Sequence, residues 1–175
     1  MAGSLIKINE EIVTSAVASV TLTGIDSTYD VYMVRFNNVI WTADNNNLVL
    51  RVTESGTPNT TSNYDVAYKE LDATGAFDNR YATNLTFHYI NIQVGNDPTY
   101  NEQSNGVMYI FNANNSGEYT FFTNETVFLN PFSGGLYGSQ GGGVFTSAST
   151  VDGLNIFFST GSINSGKFVM YGLKK

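Results

Sequence analysis

Apolar residues in this chain recur at every second position, and almost nowhere at the three- and four-residue spacing of a helix face. Two-residue alternation is the signature of a strand with one buried face, because successive side chains point to opposite sides of the sheet. At 16–23, Ala16, Ala18, Val20 and Leu22 share one face, and Val17, Ser19, Thr21 and Thr23 the other. At 31–38, Tyr32, Val34 and Phe36 alternate with Val31, Met33 and Arg35. At 48–53, Leu48, Leu50 and Val52 face inward. At 87–94, His88, Ile90, Ile92 and Val94 lie opposite Phe87, Tyr89, Asn91 and Gln93. No stretch of helical length carries an amphipathic face free of Gly, Pro or β-branched runs.

Polar segments rich in Asn, Asp, Ser, Thr and Gly separate the strands, as turn chemistry requires. The loops are expected at 42–47 (TADNNN), 54–63 (ESGTPNTTSN) and 95–106. Residues 107–112 and 118–123 read as a hairpin, extended by 127–129. A final pair is expected at 154–159 and 167–173. Residues 64–71 alternate imperfectly, 72–84 are ambiguous, and the Gly-rich stretch 133–143 reads as a loop, flexible or ordered only against a neighbouring subunit. This gives about nine or ten strands with turn signals every 8–12 residues, the spacing of a sandwich or barrel. Long connections favour a jelly roll over a meander. The expected fold is an all-β, single-domain, jelly-roll-like β-sandwich over residues 1–175. Residues 1–15 are a candidate N-terminal arm: Leu5, Ile6 and Ile8 form a short strand, either the first strand of the chain's own sandwich or one added to a sheet edge of another subunit, and Glu10-Glu11 a solvated break.

A chain of 175 residues fits one domain, and 42% hydrophobic content suffices for a core without staples. Cys is absent, which removes disulfides and thiolate metal sites. The net charge of −7 and the scattered Lys and Arg argue against nucleic-acid binding, which needs clustered cations. No apolar run approaches the ~20 residues of a membrane span, and no signal peptide is visible. The expectation is no nucleic acid and no membrane.

Catalytic chemistry usually draws on His, Cys, Lys or paired carboxylates. Here His88 stands alone on the more apolar face of its strand, which reads as a core or edge histidine with one hydrogen-bond partner. Asp44-Asn45-Asn46-Asn47 offers oxygen ligands but lacks the Gly and distal Glu of a calcium loop, so it reads as a solvated turn. Glu10-Glu11 is the only adjacent acidic pair. Gly134-Gly135 and Gly141-Gly142-Gly143 lack the Gly-Lys-Ser/Thr of a phosphate loop. No catalytic residue, metal or cofactor is expected. Most aromatics read as packing. Trp41 and Tyr100 stand beside expected loops and are the candidate surface contacts.

Two segments carry a resemblance. LTGIDSTYDVYMVRFNNV and NLVLRVTESGTPNTTSNYDVAYK, within and around 20–68, and the closing SGKFVMYGLKK resemble small β-sandwich structural proteins of tailed bacteriophages, of the marine phage type. In that group a TGIDSTYDVY strand–turn–strand opens a module and a G-x-F-x-x-Y-G strand ends it. The stretch 71–153 matches no such pattern. The resemblance implies a non-enzymatic virion protein, assembled in the host cytoplasm. A short chain without a repetitive shaft favours a capsid decoration (cement) protein, present in many copies or as a homo-oligomer on the major capsid protein or other virion proteins. The candidate contact residues are then Leu5, Ile6, Ile8, Trp41, Tyr100, Leu136 and Tyr137. The first alternative is a tail-fibre or receptor-binding module that takes a host surface glycan. A second is a glycan hydrolase, which the lack of a catalytic pair argues against.

Overall fold

The computed structural model describes residues 4–97, 101–130 and 135–173. Among them are thirteen strands, no helix, and two antiparallel sheets packed face to face. The first four strands alternate between the sheets: β1 (Leu5–Val13) in the larger, β2 (Ser19–Thr23) in the smaller, β3 (Val31–Trp41) in the larger and β4 (Asn46–Glu54) in the smaller. Three strands follow as an insertion, β5 (Thr57–Pro58), β6 (Tyr64–Asp72) and β7 (Phe77–Leu85). Alternation resumes with β8 (His88–Val94) and β9 (Ser104–Phe111). The pair β10 (Thr120–Leu129) and β11 (Leu136–Phe145) is a second insertion, and β12 (Gly153–Phe158) and β13 (Ile163–Leu173) close the chain.

The larger sheet runs β1-β13-β3-β9-β10-β11-β6-β7. The smaller runs β2-β12-β4, with β5 and β8 both against β4. Without the insertions, the two sheets hold strands first-eighth-third-sixth and second-seventh-fourth-fifth. That is the double Greek key of a jelly roll. Both insertions add to the same side of the larger sheet, so it outgrows the smaller one.

The core lies where the inner faces meet. Tyr32, Val34 and Phe36 from β3, Leu48, Leu50 and Val52 from β4, and Leu154, Ile156 and Phe158 from β12 are essentially inaccessible. Each such side chain contributes about 1.5–3 kcal/mol by leaving water. The turn before β3 is pinned to this core. Asp26 Oδ1 accepts from Thr28 N at 2.8 Å, and the Tyr32 hydroxyl donates to Asp26 O at 2.8 Å. Burial pushes the Tyr32 hydroxyl pKa up to about 12, so it stays a donor at neutral pH.

Several expectations are corrected. The stretch 133–143 is not a loop where it is described from Gly135 onward: β11 is an internal strand, paired with β10 and with β6. Gly141, Gly142 and Gly143 are needed there for close approach. A Cβ on Gly143 would stand 2.6 Å from His88 Nδ1, so a side chain there would displace β8. The ambiguous 72–84 supplies β7. Glu10-Glu11 do not break β1, because Lys167 Nζ lies 3.0 Å from Glu10 Oε2 and the strand continues to Val13. Residues 5–13 are thus the first strand of the chain's own sandwich, paired with β13. β2 is shorter than 16–23, and Val17 makes only a single bridge to Ile163. Strand β8 carries irregular register against β4, and Gln93 has a φ of 52°. Asn91 is therefore buried while Ile92 is half-buried, the reverse of strict alternation.

Candidate functional site

The smaller sheet covers the inner face of the larger one. Among the described residues no other strand packs against its outer face, although Val169, which belongs to that face, is itself fully buried. Register places side chains there in rows that cross all eight strands. One row runs Lys7, Tyr171, Met33, Tyr109, Thr123, Gly142, Ala67 and Tyr81. The next runs Glu10, Val169, Arg35, Val107, Glu125, Gln140, Lys69 and Asn79. A third brings Val31, Phe111, Phe121 and Val144 together, with Leu173 and Leu5 paired beyond them. Phe121, Val127, Leu71 and Phe77 on this face are exposed.

Four of the eight Lys and Arg residues, Lys7, Arg35, Lys69 and Lys167, stand on this face. They face Glu10, Asp65 and Glu125, so the face is close to neutral although the chain carries −7. Low net charge with exposed aromatics lowers the cost of desolvation, which is the composition of a protein-contact surface.

The expected contact residues are dispersed. Leu5 lies on this face at the β1 edge and Leu136 at the start of β11, both exposed; they stand five strands apart and at opposite ends of the sheet, roughly 35 Å from each other. Ile6 points to the opposite side and is 39% exposed, while Ile8 is half-buried against the core. Tyr137 is half-buried, its ring 6.0 Å from Phe128. Trp41 is not a surface residue. It is 2% exposed and packs on Phe158 with centroids 4.7 Å apart. A bulge-shifted end of β3 turns it inward, which its position beside a loop did not reveal. Tyr100 lies outside the described residues. Sequence reading missed Met33, Phe111 and Phe121, and set Tyr109 and Tyr171 among the aromatics read mostly as packing. The available signal was that β3 is apolar on both faces, since Val31 and Met33 accompany Tyr32 and Val34.

The residues considered for chemistry are engaged elsewhere. In the DNNN segment, Asp44 Oδ1 accepts from Asn45 N and Asn96 N at 2.9 and 3.2 Å. Asn46 is buried, and its Oδ1 accepts from Ser159 Oγ at 2.6 Å and Asn47 N at 2.8 Å. Among the described residues no three His, Asp or Glu side chains gather in a way that could hold a metal. Glu70 is buried beneath Arg80, with Oε2 2.9 Å from Arg80 Nε. Burial raises its pKa and the guanidinium opposes that rise.

His88 is buried and stacks on Phe122 with ring centroids 4.9 Å apart. Neither ring nitrogen makes a hydrogen bond of full geometry, against the one expected, although the Asn124 side chain beside the ring favours its charged form. The polar groups around it serve another purpose. β8 has an unpaired edge, and Asn124 Nδ2 and Ser139 Oγ reach across to Ile90 O at 3.1 and 3.4 Å. Burial pushes the His88 pKa down to about 4, opposed only by Asn124. The unfolded chain takes up a proton near 6.5 that the folded chain refuses until about 4. This stability is present above pH 6.5 and is lost as pH falls from there to about 4. Relative to His88→Phe, wild type should therefore lose about 3 kcal/mol of unfolding free energy between pH 7 and pH 4. Parallel pH profiles of the two proteins in denaturant titrations would refute this.

A smaller feature lies between the inner side of the β6–β7 hairpin and β8. It is a groove of about 370 Å³ lined by Tyr68, Arg80, Tyr89, Gln93 and Asn47. Tyr68 is 8% exposed.

No protein-family model matches the chain, no curated protein matches it, and no solved structure matches it.

Proposed function

We propose that the protein is a non-enzymatic structural component of a tailed-phage virion, a capsid decoration protein that works in many copies. The observation that carries this reading is the outer face of the larger sheet: eight strands wide, near-neutral, rich in aromatic and aliphatic side chains, and suited to another protein rather than to a small ligand. The resemblance at 20–68 and 165–175 supplies the context. The mechanism is surface burial. Each copy contributes a modest contact, and linked copies multiply it into a resistant shell.

The alternative is a tail-fibre or receptor-binding module. The Tyr68–Tyr89 groove favours it, because tyrosine rings beside amide side chains suit a sugar. Gold-labelled antibody against this chain, applied to phage particles whose genome encodes it, distinguishes the two. Label distributed over the head is expected. Label confined to the tail would move the protein to the alternative, and unlabelled particles would overturn both.

A further inference from the structure

The outer face is complementary to itself. In the row through Glu10, Arg35, Glu125 and Lys69 the charge alternates in sign along the sheet. Consider a two-fold axis parallel to the strands and centred over β9. It lays β3 of one copy over β10 of the other and keeps each row in register. Arg35 then meets Glu125 of the second copy, while Glu10, already paired within its own chain with Lys167, lies opposite its Lys69. Val107 meets Val107, and Tyr109 meets Tyr109. β13 lies over β11, so Tyr171 stands above the gap left by Gly142.

We propose that this face is the interface of a two-fold symmetric dimer, and that its occupant is a second copy of this chain. The proposal rests on reading the face as a protein-contact surface, and it specifies the partner. Three observations support it. Each member of the central charge pair is available. Arg35 is exposed and makes no hydrogen bond or ion pair with the described residues, and among them Glu125 uses only Oε1, which accepts from Gln140 Nε2 at 2.8 Å. The area is sufficient. Eight strands of about nine residues present roughly 1,000 Å² per copy, against about 800 Å² in a standard stable interface. The charge is matched. Two chains of net charge −7 repel each other, and a near-neutral face with alternating signs is where they can meet. Because the interface is isologous, each substitution acts twice.

The test is the mass of the purified chain in solution at about 100 μM, by sedimentation velocity and light scattering. Wild type should run at twice the 19.1 kDa of one chain. Arg35→Glu should raise the dissociation constant at least about tenfold by setting like charges face to face. Its melting temperature, read at a concentration where both proteins are monomeric, should match wild type. The exchange Arg35→Glu with Glu125→Arg should restore the dimer. A wild-type monomer at that concentration overturns the proposal. So does a dimer that Arg35→Glu leaves intact, or one that the exchange fails to restore. These outcomes are separate from the labelling of particles. A monomer in solution can still label a phage head, and a dimer can leave it unlabelled.

Discussion

Ile90→Asp should cost about 5 kcal/mol of unfolding free energy, enough to unfold a chain of ordinary stability. Ile90 is 1% exposed among the inner side chains of both sheets. The substitution removes its packing and places a carboxylate where no cation lies within the core. Strict alternation makes the neighbouring Asn91→Asp nearly silent, at under about 1 kcal/mol. The structure revises that figure upward. Asn91 is 0% exposed, and its Nδ2 donates to Ser104 Oγ at 2.6 Å. The expected cost is about 2–3 kcal/mol, limited because Ser104 can turn its hydroxyl to the new carboxylate. Urea titrations of both variants decide the matter. Ile90→Asp as stable as Asn91→Asp would mean that β8 does not face the core as described. A silent Asn91→Asp would restore the regular strand.

Trp41→Ala should cost about 4 kcal/mol, because it opens a cavity beside Phe158 at the end of the sandwich. The indole Nε1 has no hydrogen-bond partner, so the loss is one of packing alone. This is the only Trp of the chain, so its emission reports its surroundings directly. Native emission should be blue-shifted and should move to the red on unfolding. An effect within about 1 kcal/mol, with native emission already that of a solvated indole, would return Trp41 to the surface position its sequence neighbours suggest.

Where prediction from the sequence succeeded, the determining interactions were local. In β3, Tyr32, Val34 and Phe36 alternate cleanly, and all three are buried. The same holds for Leu48, Leu50 and Val52. The candidate contacts fared worse, because contact depends on what covers a face, and no local pattern records that. Leu5 and Leu136 share the outer face yet stand far apart across the sheet. Met33, Tyr109 and Tyr171 come from distant parts of the chain and meet only through the pairing of β3 with β9 and β13.

The sequence by itself determined that this is an all-β chain and which face of each regular strand turns inward. A period of two is set by the geometry of extended backbone and needs no partner strand. The tertiary structure alone decided the fate of the glycine-rich stretch, of Trp41 and of Asn91. β11 takes its order from β6, across about seventy residues of chain, and its Gly143 admits His88 from the other sheet. Trp41 and Asn91 turn inward at irregularities in pairing with strands remote in sequence, on β13, β9 and β4. A bulge reverses the alternation beyond it, and its effect is visible only against the register of the partner strand.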